Sequence, residues 1–317
     1  MEERNEFETN EEIETDITKE NVNEKKRFAI YIISAFAMAY VLQIIASVLA
    51  LNGYAFVFSP ILAVSMLVPF GATLICGRGL KNMGFKPKLK GKIKWIFIAL
   101  WGPMIISVLG PLVFFLIFPK TYDATGMYLL GQMSEEQVAQ LKEMGVTFPI
   151  IVISQVAQLV TYAPFLNMFF ALGEEVGWRG YMYPALKHKF GVNGGRIIGG
   201  LIWGIWHWPV IILAGYEYGT DYFGAPFAGP VLFCLCTVVM GIIFDYWYDK
   251  TGCIWIPALG HGSFNAAAGL GMLFFNPAFG KYMILGPTPV GIIAMIPMII
   301  YAVYIFVKEA KNNKKTV

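Results

Sequence analysis

Long apolar runs separated by short polar stretches set the architecture of this chain. The runs lie near 28–50, 55–76, 95–118, 148–184, 197–215, 226–247, 253–275 and 288–307. Each is close to or above the roughly 20 residues that carry a helix across the hydrocarbon core. The pattern predicts an all-α polytopic membrane protein with about eight transmembrane helices. The fourth run is too long for one upright span. From Phe148 to Phe190 a continuous helix would reach on the order of 60 Å, about twice the hydrocarbon thickness. Pro164 lacks a backbone donor and is predicted to kink or divide it. The register of this run in the membrane stays open. Residues near 174 fall either within the cytoplasmic half of the bilayer or at its cytoplasmic mouth.

The polar stretches carry an asymmetry. Basic residues cluster at Lys25, Lys26 and Arg27, then at Arg78, Lys81, Lys86, Lys88, Lys90, Lys92 and Lys94. They recur at Lys187, Lys189 and Arg196, and at Lys308, Lys311, Lys314 and Lys315. The intervening connections hold few. Cytoplasmic loops are enriched in Lys and Arg, so eight spans with both termini cytoplasmic fit this alternation. The predicted organisation is a disordered acidic cytoplasmic tail over 1–27, a transmembrane domain over 28–307 and a basic cytoplasmic tail over 308–317.

Composition agrees with the pattern. Of 317 residues, 57% are hydrophobic and 14% charged, against about 25% charged in soluble domains. The net charge of +3 says less than its distribution, since 10 of the 21 acidic residues precede residue 25. That opening has few apolar residues and no helical stripe, so it reads as solvated chain and not as a cleaved signal peptide. The cell membrane is the predicted location, the lipid bilayer a partner, and no nucleic-acid partner is expected. The four cysteines, Cys76, Cys234, Cys236 and Cys253, fall in or beside apolar runs and read as small buried side chains. In the loop 119–147, Ser134-Glu135-Glu136-Gln137 is a capping-box pattern. It predicts a short amphipathic helix.

Against this background three charges stand out. Glu174, Glu175 and Arg179 lie in a stretch that is apolar on both sides. A charge at the centre of a membrane helix costs about 2.5–3.5 kcal/mol on insertion scales, which makes such residues functional candidates. Glu175 and Arg179 are four apart and can pair on one helix face. Glu174 is turned from Glu175 by about 100°. It is expected to face a polar cavity unpaired, with a basicity suited to general-base work. Two of three histidines also lie in apolar runs. His207 shares a face with Trp203, and Pro209 denies the Ile205 carbonyl its helical donor. His261 and Asn265 are four apart. On the predicted topology both imidazoles lie roughly 12–15 Å from the cytoplasmic edge. Simpler readings suffice for His188 at the interface, for Asp245 and Asp249 at a span end facing cytoplasm, and for Glu217 and Asp221 in an outer loop.

In order and spacing, Glu174-Glu175-x-x-x-Arg179, Trp203-x-x-x-His207 and His261-x-x-x-Asn265 resemble the CAAX protease and bacteriocin-processing family, the Abi or type II CAAX prenyl endopeptidase group of intramembrane proteases. The likeness covers about 150–270, the expected protease-like core. Trp203 stands where that family often has Phe, and keeps an aromatic wall. The resemblance implies hydrolysis of a peptide bond in a membrane-embedded, cytoplasm-facing cavity. Glu174 would activate water, while His207, His261 and Asn265 would position it or stabilise the oxyanion. Glu175 and Arg179 would brace the site, and Trp203 and Trp178 are candidates for the substrate cavity. The substrate would be a peptide or membrane protein, prenylated or not. The family is described both as zinc-dependent and as metal-free. If zinc is used, His207, His261 and Glu174 are the expected ligands; otherwise Glu and His activate water directly. Two other readings stand beside the protease: a non-proteolytic protein of the same fold in bacteriocin self-immunity or peptide binding, and a transporter with a proton relay.

Overall fold

The computed structural model describes residues 2–87 and 89–313, with side chains described for 22–87, 89–309 and 311. Lys88, Lys314 and Lys315 of the basic clusters lie outside the described residues. The chain is α-helical. Helix α1 (Glu2–Leu51) leads to α2 (Phe58–Ser65) and α3 (Val68–Ile75), then α4 (Lys94–Ile117). Beyond it come α5 (Met127–Leu130), α6 (Glu135–Glu143), α7 (Phe148–Thr161) and α8 (Ala163–Gly177). A π-helical turn, Trp178–Met182, joins α8 to α9 (Tyr183–Trp206). Helices α10 (Trp208–Ala214), α11 (Ala228–Thr251), α12 (Trp255–Ala267) and α13 (Ile296–Asn313) complete it. The backbone is helical from Glu2, where the sequence predicts an irregular tail. The Glu and Lys residues of that stretch are good helix formers, so α1 extends through it.

Among the described residues, five helices are long and apolar enough to cross a membrane, or six if the bent pair α6–α7 makes one span. The expected eight are not reached by this measure, for local reasons. The run at 253–275 divides into the 13-residue α12 and 3-10 turns, and the last run forms an 18-residue helix that ends among polar residues. Two other expected spans merge into one 52-residue stretch, Ala163–Ala214. That stretch folds back at Gly191, whose φ of 72° breaks α9 and is favoured only for glycine. The return brings Gly195 against the backbone of Lys187. Pro164 acts as predicted: the long run divides at Tyr162, with the proline in the first turn of α8. The capping box forms too, with Ser134 and Gln137 exchanging bonds at the start of α6. All four cysteines are buried and free.

The molecule has two chemically distinct ends. At one, Lys92 Nζ donates to the Thr251 carbonyl at 2.9 Å and Trp255 Nε1 to Phe85 at 3.0 Å. There too, Lys187 bonds Asp245 and Asp249, and Arg196 bonds Asp245, Asp249 and Glu309. The basic connections thus gather at this end. Asp245, expected to face cytoplasm, is instead fully buried, because two cations from α9 turn it inward. At the other end, backbone bonds tie residues 121–123 to 274–276 and Phe223 to Lys281. Helix α12 runs through the middle, buried from Ile256 to Phe264 and packed on α8 and α4.

Candidate active site

Helix α8 delivers the two carboxylates to different partners, as their 100° offset requires. Glu175 is fully buried, and its Oε1 accepts from Arg179 Nη1 at 2.9 Å. The same oxygen accepts from His261 Nδ1 at 2.9 Å. The guanidinium of Arg179 lies over three rings, 4.7 Å from Tyr183, 4.7 Å from Trp203 and 5.4 Å from Phe244. Such stacking suits a desolvated guanidinium. Its Nε and Nη2, and the second oxygen of Glu175, make no hydrogen bond.

Glu174 is not unpaired. Its Oε2 accepts from two indoles, Trp203 Nε1 at 2.7 Å and Trp178 Nε1 at 3.0 Å. Its Oε1 makes no hydrogen bond among the described residues, and the side chain reaches a cavity wall. The cavity has a volume of about 410 Å³; Glu174, Trp203, His207, His261 and Asn265 all line it. The topology therefore brings together the four residues singled out as catalytic. Trp178 is not on the wall. It is fully buried and holds Glu174 from behind.

Both imidazoles are fixed through the same nitrogen. His207 Nδ1 lies 2.9 Å from the Trp203 carbonyl. His261 Nδ1 lies 2.9 Å from the Glu175 carboxylate. A carbonyl and a carboxylate can only accept, so each Nδ1 carries the proton and each Nε2 keeps a lone pair in the neutral ring. The Trp203 indole sits between them, with ring centroids 6.4 Å from His207 and 5.3 Å from His261. Phe244 stacks on His261 at 5.7 Å. Asn265 lies one turn beyond His261 and makes no side-chain hydrogen bond to the described residues, so its amide is available to a ligand.

The local backbone explains these positions. Arg179 meets Glu175 at the ordinary four-residue spacing and sits in the π turn, a feature frequent at functional sites. Gly262 lets α12 touch α8: a Cβ there would meet the backbone nitrogen of Met168 at 2.5 Å. That approach carries His261 to Glu175.

Metal ligation fits poorly. Among the described residues no three His, Cys, Asp or Glu side chains converge to hold an ion, and one oxygen of Glu174 is already bonded to two indole donors.

Sequence reasoning missed three features. Glu217, read as an outer-loop residue, lines the cavity with Tyr216; its bracketing by Gly215 and Gly219 was the available signal. Gln43 and Tyr40 of α1 reach the His207 turn. The donors to Glu174 were hidden because an indole N–H in an apolar run reads as packing.

Two comparisons with known proteins point to one kind of protein. Residues 156–267 match the family model described as type II CAAX prenyl endopeptidase Rce1-like, and that interval contains every motif residue above. Over 224 residues the chain is 24% identical to a protein named CAAX prenyl protease 2 from Methanococcus maripaludis, covering 68% of this chain and 74% of that protein. The chain is thus similar to CAAX-type intramembrane proteases at the level of the family.

Proposed function

We propose that this multi-pass membrane protein is an intramembrane endopeptidase that hydrolyses a peptide bond with water activated by Glu174. The observation that carries the reading is the free oxygen of Glu174 on a cavity wall shared with two imidazoles, both tied back through Nδ1.

In this reading Glu174 Oε1 takes one proton of a water whose second hydrogen is held by the Nε2 lone pair of His207 or His261. The water oxygen bonds to the carbonyl carbon, and the amide of Asn265 donates to the developing oxyanion. The proton passes from Glu174 to the departing nitrogen, the C–N bond breaks, and a carboxylic acid and an amine leave, the acid's proton then passing to the amine to give carboxylate and ammonium. The two indole donors aim Glu174, while Glu175 and Arg179 fix His261. No step runs through a metal. The substrate is a membrane-embedded, lipidated or peptide chain that enters the cavity. An eight-pass topology with both termini on the cytoplasmic, basic end belongs to the same reading.

The test uses the purified full-length protein with quenched fluorescent peptides, with and without a farnesylated cysteine. Cleavage by wild type and its loss in Glu174→Gln, with unchanged thermal unfolding, is the expected result. Equal cleavage by the folded variant overturns the assignment. Binding without cleavage by the wild type favours a non-proteolytic role.

A further inference from the structure

The cavity wall contains a second carboxylate that the proposed mechanism does not use. Glu217 lies in the connection between α10 and α11, on a turn closed by the Gly219 amide donating to the Gly215 carbonyl at 2.7 Å. The turn is anchored on both sides. The Tyr216 amide bonds the Val210 carbonyl at 3.3 Å, and the buried Tyr218 donates its hydroxyl to Val290 at 3.2 Å. Glu217 itself has a φ of 67°, a strained value for a residue with a side chain, and such values gather at binding sites and switches. The strain is tolerated here because the anchors leave the turn no other path, and it turns Glu217 toward the cavity.

The charge balance of the wall is one-sided. Its side chains include Glu174 and Glu217, and none is Lys or Arg. The buried Arg179 is committed to Glu175 and packs on Trp203. Among the described residues no ion pair forms to Glu217. Burial pushes its carboxyl above the usual range, offset in part by Tyr216. The Tyr216 phenol is in turn pushed up, first by Glu217 and then by burial, with Glu174 contributing. A partly desolvated carboxylate without a cationic partner favours a cationic or hydrogen-bond-donating ligand. The same wall disfavours a free carboxylate.

Resting on the endopeptidase reading, we propose that Glu217 is a specificity residue, and that the cavity selects a peptide carrying a cationic nitrogen near the scissile bond. That nitrogen is a Lys or Arg side chain, or a free α-amine. Its ammonium or guanidinium would donate to Glu217 while the peptide carbonyl lies at Glu174.

The experiment compares wild type, Glu217→Gln and Glu217→Lys as full-length protein in detergent. The probes are quenched peptides with Lys, Leu or Glu scanned through the positions flanking the scissile bond, each with a free or acetylated N-terminus. Wild type is expected to cleave one Lys peptide with kcat/KM about tenfold above its Leu partner, the size of one charge-assisted bond. Glu217→Gln loses that preference. Glu217→Lys turns it toward Glu, a gain that a misfolded protein cannot produce. Preference that follows acetylation, not the side chain, assigns the nitrogen to the α-amine. Equal cleavage of all three peptides, or an unchanged preference in Glu217→Gln, overturns the inference and leaves the protease standing. Binding of labelled peptides is measured in parallel. Glu217-dependent binding of the Lys peptide with no cleavage keeps the inference and removes the protease. Absence of both binding and cleavage across the series overturns the inference.

Discussion

Tyr40 donates its hydroxyl to the Ile205 carbonyl at 3.0 Å, the oxygen that Pro209 leaves without a helical donor. One turn along α1, Gln43 Nε2 donates to the Trp206 carbonyl at 2.9 Å, and its Oε1 accepts from the Val210 amide at 3.4 Å. The first helix thus satisfies the backbone broken at His207. The helix can stop there and restart as α10 without exposing polar groups in an apolar interior.

Gln43→Leu should therefore be costly. It leaves a buried carbonyl and a buried amide without partners, at about 1–3 kcal/mol for an orphaned group. The thermal midpoint in detergent should fall clearly, and cleavage should fall with it as His207 loses its place. Tyr40→Phe removes a single bond and should cost less. A Gln43→Leu protein as stable as wild type would show that the clamp contributes nothing.

Trp203 gives a second prediction. Its indole supplies the shorter bond to Glu174, and Phe at this position would keep the wall while removing the donor. A hydrogen bond to a charged group is worth about 1.5–3 kcal/mol. Trp203→Phe should lower kcat by roughly ten- to a hundredfold on this basis. Glu174→Gln should lower it by about 10²–10⁴, the usual contribution of a general base. Turnover measured at fixed pH decides between them, and an unaffected Trp203→Phe would mean that the second indole suffices.

Gly262 can be tested against a control. A Cβ there would meet two backbone atoms of α8, at 2.5 and 2.6 Å, and backbone cannot rotate away. Gly262→Ala should cost about 1–3 kcal/mol, as overpacking does, and should weaken the His261–Glu175 contact. Gly71→Ala meets nothing within 4 Å and should leave stability unchanged or raise it by up to about 1 kcal/mol. Equal thermal midpoints for the two variants would remove the close approach as a determinant.

Much of this site was legible because helix geometry is local. Glu175 and Arg179 pair because they are four apart, and Glu174 diverges because it is one residue away. Pro209 announced a free carbonyl, and Pro164 announced a division. What could not be read depends on partners distant in sequence. Nothing near Asp245 shows that Arg196 and Lys187 will bury it, and nothing near Ile205 shows that Tyr40 will cap it. The reversal at Gly191 falls in the basic connection between two expected spans, so the 52-residue stretch Ala163–Ala214 counts both as one. The span at 253–275 was not legible, because α12 lies in the protein interior and need not reach from one membrane face to the other.

Chelation bears on the mechanism directly. With one oxygen of Glu174 held by two indoles, dialysis against a strong chelator should leave cleavage unchanged, and added zinc should not raise it. Elemental analysis of the same sample gives the metal content. Stoichiometric zinc together with activity lost on chelation and restored by add-back would sink the direct Glu–His route.

The ionic cluster at the basic end supplies the last prediction. Arg196 is fully buried; it bonds Asp245 through Nε at 2.6 Å, Asp249 through Nη2 at 3.0 Å, and Glu309 through Nη1. Three helices, α9, α11 and α13, are joined through this one guanidinium. Removing it leaves the buried Asp245 with only Lys187, and breaking a buried pair typically costs about 3–5 kcal/mol. Arg196→Ala should therefore lower the thermal midpoint more than any other change in the cluster. Glu309→Gln should cost less, because that side chain retains 14% exposure and Arg196 keeps two partners. Replacing Arg196 and Asp245 together should recover part of the loss, since no charge is then stranded. High salt should matter little for a pair shielded from solvent. A double-mutant cycle read by thermal unfolding measures this coupling directly. Strictly additive losses would mean that Arg196 and Asp245 act separately.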